Sequence, residues 1–218
     1  MDSLTERLSR TLWVGVGLAI VTLCATFVLS QLQPRKRSAS KLPVLGQVAD
    51  FTLTNQAGEV VTLADLRGKA WVADIIFTRC TGPCPRMTKQ MGTLQDSLAG
   101  DAGARLVTLT TDPEFDSPDV LKKYAARFKA NQAQWSFLTG TKKQIAGLAI
   151  DSLKLTAVEK KPEERTDAED LFIHSTIFVL VDKQARLRGV FETGGAGVAW
   201  TEVQPALLKA IRQLEREP

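Results

Sequence analysis

Histidine is almost missing from this chain: 218 residues contain one, beside three cysteines and one tyrosine. Charge of one sign is missing from most of it too. The first 43 residues hold six of the 28 Lys and Arg but only two of the 24 Asp and Glu, leaving 22 of each sign in residues 44–218. The formal charge of +4 therefore belongs to the N-terminal tail, and the neutral remainder offers no basic face to a nucleic acid. The glycine cluster Gly194-Gly195-Ala196-Gly197 lacks the dinucleotide spacing and opens no βαβ unit, which excludes that reading. The peroxidase pattern P-x-x-x-T-x-x-C is absent as well: Ala73 and Phe77 stand where Pro and Thr would precede Cys80.

What the tail does contain is one long uncharged run. Residues 12–32 carry no charge for 21 positions, close to the roughly 20 residues that cross a bilayer as a helix. We expect a membrane anchor there, a short tail at 1–11, a basic linker at 33–43 and one folded domain at 44–218. A cleaved signal peptide is the rival reading, but its apolar core is usually about 7 to 15 residues long. Cys24 lies inside the run, without a lipoprotein box before it, and reads as a small apolar residue. Arg35, Lys36, Arg37 and Lys41 outnumber Arg7 and Arg10, so loop charge alone would put the domain in the cytoplasm.

The domain alternates strand and helix signals. Residues 51–54 and 60–63 flank Asn55-Gln56-Ala57-Gly58, a hairpin with Gly58 at the turn. Residues 70–77 are nearly all apolar, as in a strand covered on both faces. Met87, Met91, Leu94 and Leu98 recur at helical spacing, and both methionines read as core filler. A second core strand is expected at 105–110, a helix after Ser117-Pro118, a short strand at 135–138 and a capped helix at 141–150. Residues 160–170 are charged and without pattern, an exposed insertion. Strands at 175–182 and 186–191 and an amphipathic helix at 200–215 close the chain. This order fits a thioredoxin-like α/β domain: a central mixed sheet with helices on both faces.

Cys80 and Cys84 occupy the corner between the first core strand and the following helix. Free N–H groups and the positive end of the helix dipole favour a thiolate there, and Cys84, nearer the helix start, is expected to be the more acidic thiol. If strand 175–182 runs antiparallel beside strand 70–77, its start lies at the same edge as Cys80 and Cys84. Residue 174 is the single histidine. Two thiolates and an imidazole form a soft set suited to Cu(I), and possible for Zn²⁺ with a fourth ligand. The cysteines alone would serve equally as a redox pair, Cys80 and Cys84 being the catalytic residues. Their spacing of three intervening residues is wider than the two usual in thioredoxins, and no proline precedes Ser175 where thioredoxins place one.

The chain resembles the Sco/SenC family, membrane-anchored thioredoxin-like copper proteins of cytochrome c oxidase assembly. The resemblance rests on Asp50-Phe51-Thr52-Leu53, the run Phe77-Thr78-Arg79-Cys80-Thr81-Gly82-Pro83-Cys84-Pro85, Met87, Thr110-Thr111-Asp112-Pro113-Glu114, Trp135-Ser136-Phe137-Leu138 and His174-Ser175. It implies Cys80, Cys84 and His174 as metal ligands, copper as cargo, as Cu(I) rather than Cu(II), and the CuA-bearing oxidase subunit as acceptor. A copper donor or a thioredoxin-like reductant would be further partners. It also implies an inner-membrane protein with its domain in a bacterial periplasm or the mitochondrial intermembrane space, against the loop-charge count. Arg79, Arg86 and Lys89 are expected to offset the net negative charge of a loaded site. The alternative is a membrane-tethered thiol–disulfide oxidoreductase acting on cysteines of an oxidase subunit. Ile173 stands where relatives often carry an acidic residue, and residues 160–170 match poorly.

Overall fold

A computed structural model describes residues 13, 15–27, 41–100, 104–165, 171–195 and 197–217. They fall into two units, one within residues 1–40 and one within 41–218. In the first, residues 15–27 form a helix, α1, with exposed side chains. Among the described residues no helix is long and apolar enough to cross a membrane. Residues 12, 14 and 28–32 of the expected span lie outside the described residues, as do 33–40 of the linker.

The second unit begins with β1 (Gly46–Gln47), β2 (Thr52–Asn55), β3 (Val60–Thr62), α2 (Leu63–Leu66) and β4 (Ala70–Ile76). It continues through α3 (Pro83–Ser97), β5 (Ala104–Thr110), α4 (Pro118–Arg127), β6 (Trp135–Thr139) and α5 (Lys142–Ala146). The remaining elements are β7 (Ala157–Glu159), β8 (Phe172–His174), β9 (Ile177–Val181), β10 (Arg186–Glu192) and α6 (Trp200–Arg216). Eight strands form one sheet in the order β1-β10-β9-β4-β5-β6-β2-β3, and β7 and β8 pair separately. The sheet is mixed: β5 runs parallel to both β4 and β6, and β9 runs antiparallel to β4.

All seven residues of β4 are buried, which explains an apolar run that only Asp74 interrupts. Alternation sends them to opposite faces. Val72 and Ile76 join a core with Leu94, Leu121 and Leu207 from α3, α4 and α6, whereas Trp71, Ala73 and Ile75 join Leu63, Ile145 and Leu148 on the other side. Met87 and Met91 are fully buried in the first core, as core filler should be. The β2–β3 turn is held by the Asn55 side chain, which accepts the N–H groups of Ala57 and Glu59, with Gly58 at φ 82°.

Two expectations need correction. The helix expected through residue 150 is α5 followed by a π-helical turn, Gly147–Ser152. The stretch read as a patternless insertion at 160–170 joins β7 to β8 and contains a 3-10 turn, Pro162–Glu164, with residues 166–170 outside the described set. The strands that pair, three residues each, flank the charged stretch and are too short to show a period.

Candidate metal centre

β4 delivers the chain to the site. After the buried Phe77, a tight turn returns the Cys80 N–H to the Phe77 carbonyl at 3.2 Å, and α3 starts with Gly82 as N-cap and Pro83 in its first turn. Proline fits there because the first helical N–H groups have no partner inside the helix. Gly82 has no side chain to cap them. The N–H groups of Gly82 and Cys84 point instead at the sulfur of Cys80. The corner is thus an anion site, as expected, but it serves Cys80 and not Cys84.

The two thiols differ accordingly. Cys84 faces inward from α3 and is fully buried, whereas Cys80 is partly exposed. The Cys84 thiol donates to Cys80 and, with the two backbone N–H groups, outweighs partial burial and holds the Cys80 pKa at about 4. Burial, together with the neighbouring Cys80 sulfur, pushes Cys84 strongly upward. The expectation that Cys84 is the more acidic thiol is reversed: the helix end stabilises the sulfur it points at, and desolvation dominates at the other.

His174 ends β8, and β9 starts at Ile177 beside the end of β4. The histidine therefore reaches the cysteines from its own small hairpin and not from the main sheet. Its Nε2 lies 3.1 Å from the Cys84 sulfur, and its Nδ1 lies 3.2 Å from the Ser175 carbonyl oxygen. A carbonyl oxygen only accepts, so Nδ1 is assigned the proton and Nε2 presents its lone pair to the thiols. Phe77 supports the imidazole edge-on at 5.9 Å between ring centroids and meets Phe172 at 5.1 Å. The ligand atoms of Cys80, Cys84 and His174 all lie within 4.8 Å of one another, the only such group among the described residues.

The basic residues expected around the site behave differently from one another. Arg79 is ion-paired with Asp112 and stacks on Phe115 at 4.1 Å, so its charge is already balanced. Arg86 is exposed and lies against Gly194, where any side chain would collide with the guanidinium. Lys89 is exposed on α3.

Sequence reasoning missed two buried acids. Asp74 lies in β4 on the Val72–Ile76 face, with Oδ1 accepting the Thr108 hydroxyl at 2.7 Å and Oδ2 without a partner. Burial raises its pKa to about 7, against the opposing effects of Thr108 and His174. Asp116 is fully buried in the loop after β5 and accepts the N–H of Thr78 at 3.1 Å. A lone acid within an apolar strand was a readable signal for Asp74. The pairing of Asp116 with Thr78, 38 positions away, had none.

Residues 43–202 match the family described as SCO1/SenC. The chain is 40% identical over 149 residues to the SCO1 protein homolog of Bacillus subtilis, spanning 67% of this chain and 74% of that one. Among solved structures, BsSco, described as a member of the Sco family of cytochrome c oxidase assembly proteins with a disulfide switch, is 34% identical at a TM-score of 0.63. The match covers 78% of this chain and 97% of BsSco. The Bradyrhizobium japonicum ScoI structure with copper bound has the same fold, at 23% identity and a TM-score of 0.62 over 75% of this chain and 99% of that one. A thioredoxin-like sheet carrying two thiols at a strand–helix corner and one imidazole above them agrees with these likenesses, and the chain belongs to the SCO1/SenC family.

Proposed function

We propose that this protein binds copper as Cu(I) through Cys80, Cys84 and His174 and passes it to the CuA-bearing subunit of cytochrome c oxidase. The observation that carries the reading is the convergence of two sulfurs and a lone-pair nitrogen within 4.8 Å. That donor set suits a soft ion, and the Nδ1–H held by the Ser175 carbonyl is the kind of second contact that orients a ligating imidazole. Cys80 offers a thiolate at neutral pH, and Cys84 gives up its proton as the ion enters. The ion would leave by ligand exchange with the acceptor's own donors. Residues 12–32 would anchor the protein in the inner membrane, with the domain on the periplasmic or intermembrane-space side.

Anaerobic titration of the reduced protein with Cu(I), with free thiols counted before and after, tests this. One ion per chain and the loss of two titratable thiols are expected. Retention of both thiols at saturation would sink the reading. A second reading, a thiol–disulfide oxidoreductase acting on oxidase cysteines, is favoured by one observation: Cys80 is a partly exposed thiol with its pKa lowered to about 4. Turnover of a mixed-disulfide substrate by copper-free His174→Ala protein would support it.

A further inference from the structure

Asp116 is a fully buried carboxylate that no cation pairs among the described residues. Burying a charge in that way costs several kcal/mol unless hydrogen bonds compensate it. Its compensation comes from three donors: the N–H and the hydroxyl of Thr78, and the hydroxyl of Thr110. The Thr110 oxygen in turn accepts the N–H of Asp112 at 2.9 Å, and the Asp112 carboxylate pairs with Arg79. A closed ring results, running Thr78, Asp116, Thr110, Asp112, Arg79. The two residues immediately before Cys80 are both tied into it, while Cys84 is fixed separately by α3.

A disulfide needs its sulfurs at about 2.05 Å. Cys80 and Cys84 are free thiols in this arrangement. Closing the bond draws the two sulfurs, now within 4.8 Å, together, and the ring resists any shift of the turn bearing Cys80 toward α3. We propose that Asp116 is a positioning residue that holds Cys80 open for metal and thereby sets the balance between dithiol and Cys80–Cys84 disulfide. The metal half of this statement rests on the copper reading above; the redox half does not.

The test uses the full-length chain equilibrated in glutathione buffers. Each disulfide formed passes two electrons to oxidised glutathione, which with the two thiol protons becomes two molecules of glutathione. Thr78→Val removes the hydroxyl and keeps the backbone, Asp116→Asn removes the charge, and Thr78→Ser restores the hydroxyl. Both disruptive changes should favour the disulfide about tenfold, which for a two-electron couple is a potential about 30 mV more negative. They should weaken Cu(I) in chelator competition by a similar factor, and Thr78→Ser should match the wild type. Leu214→Ala, at the far end of α6 in the same core, should lower Tm and move neither equilibrium.

Should Asp116→Asn fail to fold, Thr78→Val alone carries the test. The proposal is overturned if folded Thr78→Val keeps the wild-type potential, or if Leu214→Ala shifts it as far. Failure of the wild type to take up Cu(I) would refute the copper reading, and the glutathione equilibrium would still decide the role of the ring.

Discussion

His174 Nε2 sits 3.1 Å from the sulfur of Cys84 across a sequence separation of 90. The contact joins the end of β8 to the first turn of α3, and the orientation of the ring is fixed from two sides. Ser175 holds the Nδ1 proton, and Phe77 packs against the ring edge-on. A histidine placed only for packing would need no such control of its tautomer.

Replacing His174 with alanine should therefore weaken Cu(I) binding by more than the 10- to 100-fold typical of losing a partner outside the ligand set, so by about 100-fold or more. Competition with a Cu(I) chelator reads this directly. Wild-type affinity in the variant would mean that two thiolates suffice and that the three-ligand arrangement is wrong.

The thiol asymmetry gives a proton count. With the Cys80 pKa lowered to about 4, its thiolate is already formed at pH 7, whereas Cys84 keeps its proton. Cu(I) uptake at pH 7 should release about one proton per ion, and affinity should rise about tenfold per pH unit between pH 6 and 8. Weakly buffered titration with a pH indicator measures the release. Two protons per ion would show that Cys80 is not held as a thiolate.

Most of this architecture was readable because it follows from burial. The apolar run of β4, the amphipathic α6 and the Gly58 turn each follow from one dominant local term, and the antiparallel β9 placed residue 174 at the right edge. What could not be read depended on where individual atoms point. The N–H groups at the start of α3 aim at Cys80, two residues before the N-cap, so charge proximity along the sequence selected the wrong sulfur. The β7–β8 hairpin pairs two three-residue strands on either side of a charged segment, too short for a side-chain pattern to show. The ring through Asp116 joins residues that only the β4–β5 pairing brings together.

Asp74 makes a stability prediction with a definite sign. Its folded pKa is raised from 3.8 to about 7, so the folded protein holds a proton that the unfolded chain releases. The contribution is full below about pH 4 and is lost as pH rises through 7, an effect of at most about 4 kcal/mol. Cys80 acts in the opposite sense over part of this range, so the comparison must be with a variant that leaves it in place. Urea unfolding of Asp74→Asn and wild type from pH 4.5 to 8 should show the difference moving in favour of the variant as pH rises. A difference independent of pH would mean that Asp74 is ionised in the fold throughout.

The last prediction concerns the end of the sheet away from the thiols. Gly46 of β1 pairs with Leu187, Leu187 with Val181, and Val181 with Trp71 at the start of β4, so the N-terminal strap enters opposite the metal centre. Arg188 holds it there. Its side chain is 2% exposed and donates to Asp182 at 2.6 Å, to Glu217 at 2.9 Å and to the carbonyl oxygen of Leu42 at 2.6 Å. Arg188→Ala would leave Asp182 with Arg186 as its one charged partner among the described residues and release Leu42 and Glu217 together, at a cost of about 3 kcal/mol. A lower Tm and faster tryptic cleavage after Lys41 are expected, with Cu(I) affinity unchanged. A parallel loss of copper affinity would show that the two ends of the sheet are coupled, and that the strap does more than fasten the chain to the domain.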